Sequence, residues 1–335
     1  MSVEITGMTD NFFRRRQRKT TLVEGHVKKV AVVLNTDAGR MATYRKGRIV
    51  ERILEAFSSR QVIPHLVLAD GDSICEALRS AHALGPDILV VGGGDGSVNA
   101  VAQILSGSDI PLGILPLGTF NHLAKDLRIP MSLEAAVTNI LSGKTAKIDL
   151  AEANGEPFVN TSTLGVVADF VKTRNRLRSR RGLAVKWLSI VHAIIEASIR
   201  FPLVEIRIRI GKRVEKRKTC FAMVGNNAFD KGLFISKGGR SALNRNRLSL
   251  YIGKCGGRAS MAILAIRMLI GSRKQYGDMD AILAEELMVE SPLDRLMISA
   301  DGELKWMRVP VRFRILPKAL RVLTPLGNED RSAPW

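Results

Sequence analysis

The chain is first legible as a rhythm of apolar runs separated by polar helical stretches. "KKVAVVLN" (28–35) reads as a buried strand. In "YRKGRIVERILEAFSSR" (44–60), Ile49, Ile53, Leu54 and Phe57 recur at helical spacing. "QVIPHLVLA" (61–69) is extended, with Pro64 suited to a strand end or edge. "SICEALRSAHALG" (73–85) is helical and stops at Gly85. A strand at 87–91, a helix at 97–107, a strand at 110–116 and a short helix within 120–130 follow. Near-continuous apolar strands alternating with helices predict a parallel sheet covered on both faces.

Near residue 145 the period changes. "TAKIDLAEANGEPFVNTSTLG" (145–165) predicts two strands about a turn at Asn154-Gly155. "FPLVEIRIRIGKRVEKRKTCFAMVGNN" (201–227) predicts a hairpin turning at Gly211-Lys212, with Ile206, Ile208 and Ile210 on one face and Arg207 and Arg209 on the other. Extended runs continue to "VRFRILP", interrupted by helical stretches at about 182–200 and 259–272. The expected organisation is a mobile basic arm (1–26), an α/β domain (27–147), a mainly antiparallel β domain (148–325) and a tail (326–335).

Composition changes this picture in one respect. The 335 residues carry 51 Lys+Arg against 32 Asp+Glu, a net charge of +19. A surplus of that size suggests an anionic partner, either nucleic acid or an acidic membrane surface. Aromatic residues make up only 5%, too few for base-stacking platforms, so nucleic acid is not expected. Cys75, Cys220 and Cys255 are odd in number and widely spaced, and are expected to form neither a disulfide framework nor a metal cluster. The N-terminus lacks a secretory pattern, and the longest apolar stretches are too short to span a bilayer. The expected location is cytoplasmic, peripheral at the inner face of the membrane. The oligomeric state is left open, a homodimer included.

The candidate chemistry begins at "VGGGDGSVNA" (91–100), between a strand and a helix. Glycines there let a phosphate approach the backbone, and the helix start offers free N–H groups. Asp95 is out of place beside a bare phosphate but suits a divalent cation bound to phosphate oxygens. Ser97 can donate its hydroxyl to the same oxygens. A glycine-rich connector with an exposed aspartate would share this spacing. Two more loops at strand ends add weight: "NTDAGR" (35–40), with Asn35 and Gly39, and "LPLGTFNHLAKDL" (115–127), with Gly118 and Thr119.

Together with a late "ADGE" (300–303), these motifs resemble the diacylglycerol kinase catalytic family, which includes bacterial lipid kinases, sphingosine kinases and ceramide kinases and shares its fold with NAD kinases. The resemblance runs in order from about Lys28 to Pro325. It implies ATP with Mg²⁺, an ATP site of Asn35, Gly39, Gly93, Gly94, Asp95, Gly96, Ser97, Asn99, Gly118 and Thr119, and Asp95 as the metal-organising carboxylate. The family's Asp-Gly-Glu falls on Asp301, Gly302 and Glu303. Alternation along a strand would put Asp301 and Glu303 on one side, with Glu303 favoured as the base and Asp301 as its partner. The chain departs from the pattern in five places, the first being Ser97 where threonine is usual. Thr36 stands for a proline, Ala100 and His122 for acids, and 238–250 offers Asn and Arg where a secondary metal loop has Asp.

A lipid kinase must dock without spanning. "VKTRNRLRSRRGLAVKW" (171–187) gathers Arg174, Arg176, Arg178, Arg180, Arg181 and Lys186 ahead of an apolar-rich helix, a pattern suited to anionic headgroups. The expected function is ATP-dependent phosphorylation of a hydroxyl on diacylglycerol or a related lipid such as a sphingoid base or ceramide. The alternatives are a soluble NAD kinase-type enzyme and a non-catalytic lipid-binding relative.

Overall fold

A computed structural model of the chain describes residues 3–4, 28–43, 46–165, 203–229, 240, 242–254, 256–269 and 277–326. The chain divides into two compact units. Among the described residues, the first runs through Ile148 and takes in the chain again from Ala319; the second spans Asp149–Lys318. The sequence suggests one boundary near 147. The return of the chain at Ala319 is invisible to it, because a single long strand serves both units.

In the first unit, β2 (Val30–Asn35), β3 (His65–Ala69), β4 (Ile88–Gly93) and β5 (Leu112–Pro116) lie parallel in the order β3-β2-β4-β5. The end of β17 (Val311–Thr324) joins β5 in parallel, Val322 opposite Leu112. Outside β3 lies β1 (Val3–Glu4), antiparallel, so two residues of the expected arm are paired. The central strands are mostly apolar because helices cover the sheet: α1 (Gly39–Thr43), α2 (Lys46–Ser58), α3 (Ile74–Ala83), α4 (Asp95–Leu105), α5 (His122–Asp126) and α6 (Leu133–Ser142). Ile49, Ile53, Leu54 and Phe57 of α2 are all buried against β2 and β4 residues, as their spacing requires. A fully buried side chain of this size contributes about 1.5–3 kcal/mol. Helix α6 has no counterpart among the elements expected from sequence, although Ala136, Val137 and Ile140 are buried at helical spacing and Ser132 and Gly143 flank it.

The chain leaves β2 for β3 on one side and then crosses to β4 on the other. The carboxyl ends of β2 and β4 therefore flank the point where strand order reverses, where open α/β sheets bind ligands.

The second unit is built of antiparallel strands. One layer has the order β13-β12-β11-β8-β15-β16: Met279–Ala284, Leu248–Gly253, Phe221–Asn226, Thr161–Gly165, Arg295–Ala300 and Glu303–Arg308. The other pairs β17 with β14 (Glu286–Glu290), β14 with β9 (Val204–Ile210), and β9 with β10 (Arg213–Thr219). Here β6 (Lys144–Ala153) turns at Asn154-Gly155 into β7 (Glu156–Phe158), and both turn residues have positive φ, as a tight hairpin needs. Leu164, Ala222, Val224, Leu250 and Ile298 share one core with Ile206, Ile208, Leu287, Val289 and Phe313. The expected alternation in β9 holds, with Ile206 and Ile208 buried and Arg207 and Arg209 exposed. Helix α7 (Arg258–Leu269) overlaps the stretch read as helical at about 259–272. An α/β unit with a mostly parallel sheet and an antiparallel β unit is the expected fold class.

Among the described residues, no helix is long and apolar enough to cross a membrane. Cys75 is an exposed free thiol, and Cys220 is disulfide-bonded, a bridge that the expectation of no disulfide framework did not include. Sequence spacing of cysteines does not report which ones β pairing brings together.

Candidate active site

In the first unit, the loops after β2, β4 and β5 meet through short contacts. Asn35 ends β2 and donates from Nδ2 to Ser97 Oγ at 2.8 Å. That leaves the Ser97 proton available to another acceptor. Asn35 Oδ1 accepts from the Asp37 amide at 2.9 Å, which fixes the amide orientation. The Arg40 amide donates to Leu117 O at 3.0 Å, joining the first loop to the third. A Cβ on Gly39 would stand 3.0 Å from Thr119 Oγ1, so these loops are in near contact there too.

Asp95 opens α4. Its Oδ2 accepts from the Asn121 amide at 3.1 Å and its Oδ1 from the His122 amide at 2.6 Å. The carboxylate thus caps the start of α5 and ties the second loop to the third. Asn121, in the left-handed region at φ 51°, exchanges hydrogen bonds with Gly118 through both ends of its amide. The sequence reading assigned no role to Asn121. Its signal is an asparagine following Gly-Thr-Phe, since asparagine tolerates positive φ better than most residues. His122, also given no role, contributes its backbone N–H and stacks its ring on Phe120 at 5.6 Å.

The glycines of the second and third loops have different reasons to be there. A Cβ on Gly93 would overlap Ser97, and one on Gly118 would overlap the backbone of Gly94. A Cβ on Gly96 would meet no protein atom within 4 Å. Gly96 sits in the first turn of a helix, where alanine is better by about 1 kcal/mol. The protein interior gives no reason for that glycine. Asn99, one turn further, is 2% exposed and its Oδ1 has no hydrogen-bond partner among the described residues. All ten residues read as an ATP site lie at the ends of β2 and β4, on the loops after β2, β4 and β5, or in the first two turns of α1 and α4.

In the second unit, Asp301 and Gly302 do not lie on a strand. Both have positive φ, 48° and 88°, and they form the two-residue turn between β15 and β16, with Ala300 opposite Glu303. The expectation that strand alternation places Asp301 and Glu303 on one side is therefore corrected: Glu303 opens β16 after the turn. Part of Asp301 remains accessible, yet its carboxyl group is enclosed. Its oxygens accept from the amides of Val159 (2.7 Å), Asn160 (2.9 Å) and Thr161 (3.0 Å). Burial pushes the carboxyl above its ordinary value, outweighing these three amides and the Arg240 guanidinium. Glu303 is exposed.

Arg240 holds the same segment by its carbonyl side. It is 3% exposed and donates to Val159 O at 2.7 Å, Asn226 O at 3.0 Å and Asn160 Oδ1 at 2.8 Å, with its guanidinium 5.5 Å from the Phe229 ring centre. Asn226 reaches on to Asp149 O at 2.9 Å, and buried Asp149 accepts from the amides of Asn246 and Lys318. Neither Arg240 nor Asp149 was singled out from sequence, and no local motif marks them. Among the described residues no group of three or more His, Cys, Asp or Glu could hold a metal ion. The basic residues Arg174, Arg176, Arg178, Arg180, Arg181 and Lys186, and the helix expected at 182–200, lie outside the described residues.

Comparison with known proteins gives this geometry a relationship. Residues 29–153 match the model of the diacylglycerol kinase catalytic domain. A diacylglycerol kinase of Mycobacterium tuberculosis (strain ATCC 25618 / H37Rv) is 27% identical over 270 residues, covering 78% of this chain and 85% of that protein. The uncharacterized protein sll0036 of Synechocystis sp. is 26% identical over 262 residues, or 76% of this chain, and the match spans 59% of its length. In structure, a diacylglycerol kinase from Bacillus anthracis str. Sterne aligns with a TM-score of 0.64 at 18% identity, over 90% of this chain and 98% of that one, a likeness of fold. Residues 29–153 thus form a diacylglycerol kinase catalytic domain, the catalytic domain of a kinase.

Proposed function

We propose that the protein is an ATP-dependent lipid kinase, transferring the γ-phosphoryl group of ATP to a hydroxyl of diacylglycerol or a related lipid (a sphingoid base or ceramide) at a membrane surface. The observation that carries the nucleotide half of this reading is Gly96. It is a glycine in a helix's first turn with open space where its side chain would be, at the strand ends where sheet order reverses.

The residues present fit Mg²⁺·ATP. The start of α4 presents backbone N–H groups to an anion. One carboxylate, Asp95, suffices for a cation that keeps waters and phosphate oxygens as its other ligands. When bound, Mg²⁺·ATP supplies the transferable phosphoryl group with its charge partly neutralised. The chain's own residues then position and move protons. Asn35 holds Ser97 so that its hydroxyl faces an acceptor, and Asp95 keeps the second and third loops in register. In the second unit, Glu303 takes the proton of the lipid hydroxyl as its oxygen bonds to the γ-phosphorus and ADP departs. Asp301 fixes the 159–161 backbone beside the turn. General-base assistance of this kind is worth about 10²- to 10⁴-fold. The basic segment holding Arg174 to Lys186 is assigned to anionic headgroups, at the inner face of the cytoplasmic membrane.

The test is a lipid-extract screen with labelled ATP and Mg²⁺, products identified by mass spectrometry. A phosphorylated lipid is expected. Label transferred only to NAD would give the soluble nucleotide kinase instead, and no turnover with retained lipid binding would give the non-catalytic relative.

A further inference from the structure

The hairpin that carries Asp301 at its turn has a second feature the chemistry does not use. Among the described residues, β16 is the last strand of its layer. Register sets Trp306 opposite Met297 and Arg308 opposite Arg295, and residues two apart on a strand share a face. The strip therefore holds Arg295, Met297, Leu304, Trp306 and Arg308. Trp306 is 67% exposed, and Leu293, two residues before Arg295, is 59% exposed. An indole is the largest apolar side chain a protein can leave in water.

The arginines are as unusual as the tryptophan. Like charges directly opposite on paired strands repel. Among the described residues, neither Arg295 nor Arg308 forms an ion pair. In the other layer of this unit, Arg209 pairs with Glu290, Arg312 with Glu286 and Arg314 with Glu152. The opposed pair lacks the acid that these strands supply elsewhere. A partner that is apolar and anionic at once resolves both oddities. The interface of an anionic bilayer has that character, with tryptophan at headgroup level and arginine reaching phosphates.

We propose that the outer strip of β15–β16 is a docking surface for an anionic lipid bilayer. Trp306 enters the headgroup boundary, and Arg295 and Arg308 sit on lipid phosphates. The inference deepens the lipid-kinase reading and rests on it for its purpose, because docking here would bring the Asp301-Gly302 turn to the bilayer.

The test is sedimentation of the full chain with phosphatidylcholine vesicles, with and without phosphatidylglycerol, for the parent, Trp306→Ala, and Arg295→Gln with Arg308→Gln. Melting temperatures serve as a folding control. Trp306→Ala should lower partitioning at least about tenfold, as for an indole leaving water. Each arginine should account for about fivefold on anionic vesicles only. Turnover of a short-chain, water-dispersed diacylglycerol should be unchanged in all variants. If the parent phosphorylates no lipid yet the variants show these losses, the docking surface stands and the kinase reading falls. Vesicle binding equal to the parent in both variants overturns the docking surface. So does loss of a dimer by Trp306→Ala with vesicle binding intact, which would make the occupant a second copy.

Discussion

The dipeptide Asp-Gly occurs at 95–96 in the first unit and at 301–302 in the second, and the two copies fold differently. Asp95-Gly96 opens a helix, and Gly96 has empty space beside its Cα. Asp301-Gly302 is a hairpin turn in which both residues need positive φ. In each, the carboxylate gathers backbone amides from a neighbouring segment: two for Asp95, three for Asp301. Asp95 is half-buried and caps a helix, whereas the carboxyl of Asp301 is enclosed. The first arrangement leaves lone pairs of the carboxylate free beside a glycine loop. The second spends most of its acceptor capacity on the fold and leaves the exposed Glu303 as the freer group.

The largest effect expected from this contrast is at Asp301. Asp301→Ala strands three buried amides, and each unsatisfied group costs about 1–3 kcal/mol. Chemical denaturation should show a loss of at least about 3 kcal/mol, with turnover lost in the same variant. Glu303→Gln should leave stability within about 0.5 kcal/mol, as for an exposed site, and lower kcat about 10²-fold or more with ATP KM unchanged. If the two variants exchange these signatures, Asp301 is the base and the contrast is reversed.

A smaller structural effect is expected at Asp95. Asp95→Asn keeps one acceptor oxygen, so stability should fall by only about 1 kcal/mol. Kinase turnover at saturating Mg²⁺·ATP should nevertheless be abolished, because the amide cannot organise a cation. Near-normal turnover would leave Asp95 as a loop clamp alone.

The smallest effect is a pH dependence. Burial raises the Asp301 pKa in the folded state. Folding is therefore helped while the group is protonated in both states, and that help is lost as pH rises from the ordinary value through the raised one. The exposed Asp70, held low by Ser73, Glu134, held low by its backbone and Arg52, and Glu286, held low by Arg312, act in the opposite sense, weakly because of solvent screening. They are common to parent and Asp301→Asn and cancel in the difference. The melting temperature of the parent should fall relative to Asp301→Asn as pH is raised from acid to neutral; a constant difference would mean the carboxyl is not perturbed.

Much of the frame was legible because it rests on local periodicity. The apolar runs at 28–35, 87–91 and 110–116 are buried parallel strands, and the Asn154-Gly155 turn stands where it was read. The Asp301-Gly302 turn was equally available, since Asp-Gly between alternating runs is a hairpin signal. Reading the stretch as continuous strand concealed it. Arg240 was not legible at all: its partners Val159 and Asn160 lie 81 and 80 residues away, and only the folded sheet brings them together. Crowding told three of the loop glycines apart from Gly96, and crowding is a property of packing that spacing does not carry.

The central claim is that the loop after β4 receives the phosphates of ATP, and Gly96→Ala tests it most directly. A Cβ there touches no protein atom and replaces the poorer helix former. The account predicts a melting temperature equal to or above that of the parent together with a KM for ATP raised about tenfold or more, the cost of about 1.4 kcal/mol of binding. An unchanged KM in an equally stable protein would contradict it, since the space beside Gly96 would then belong to no ligand.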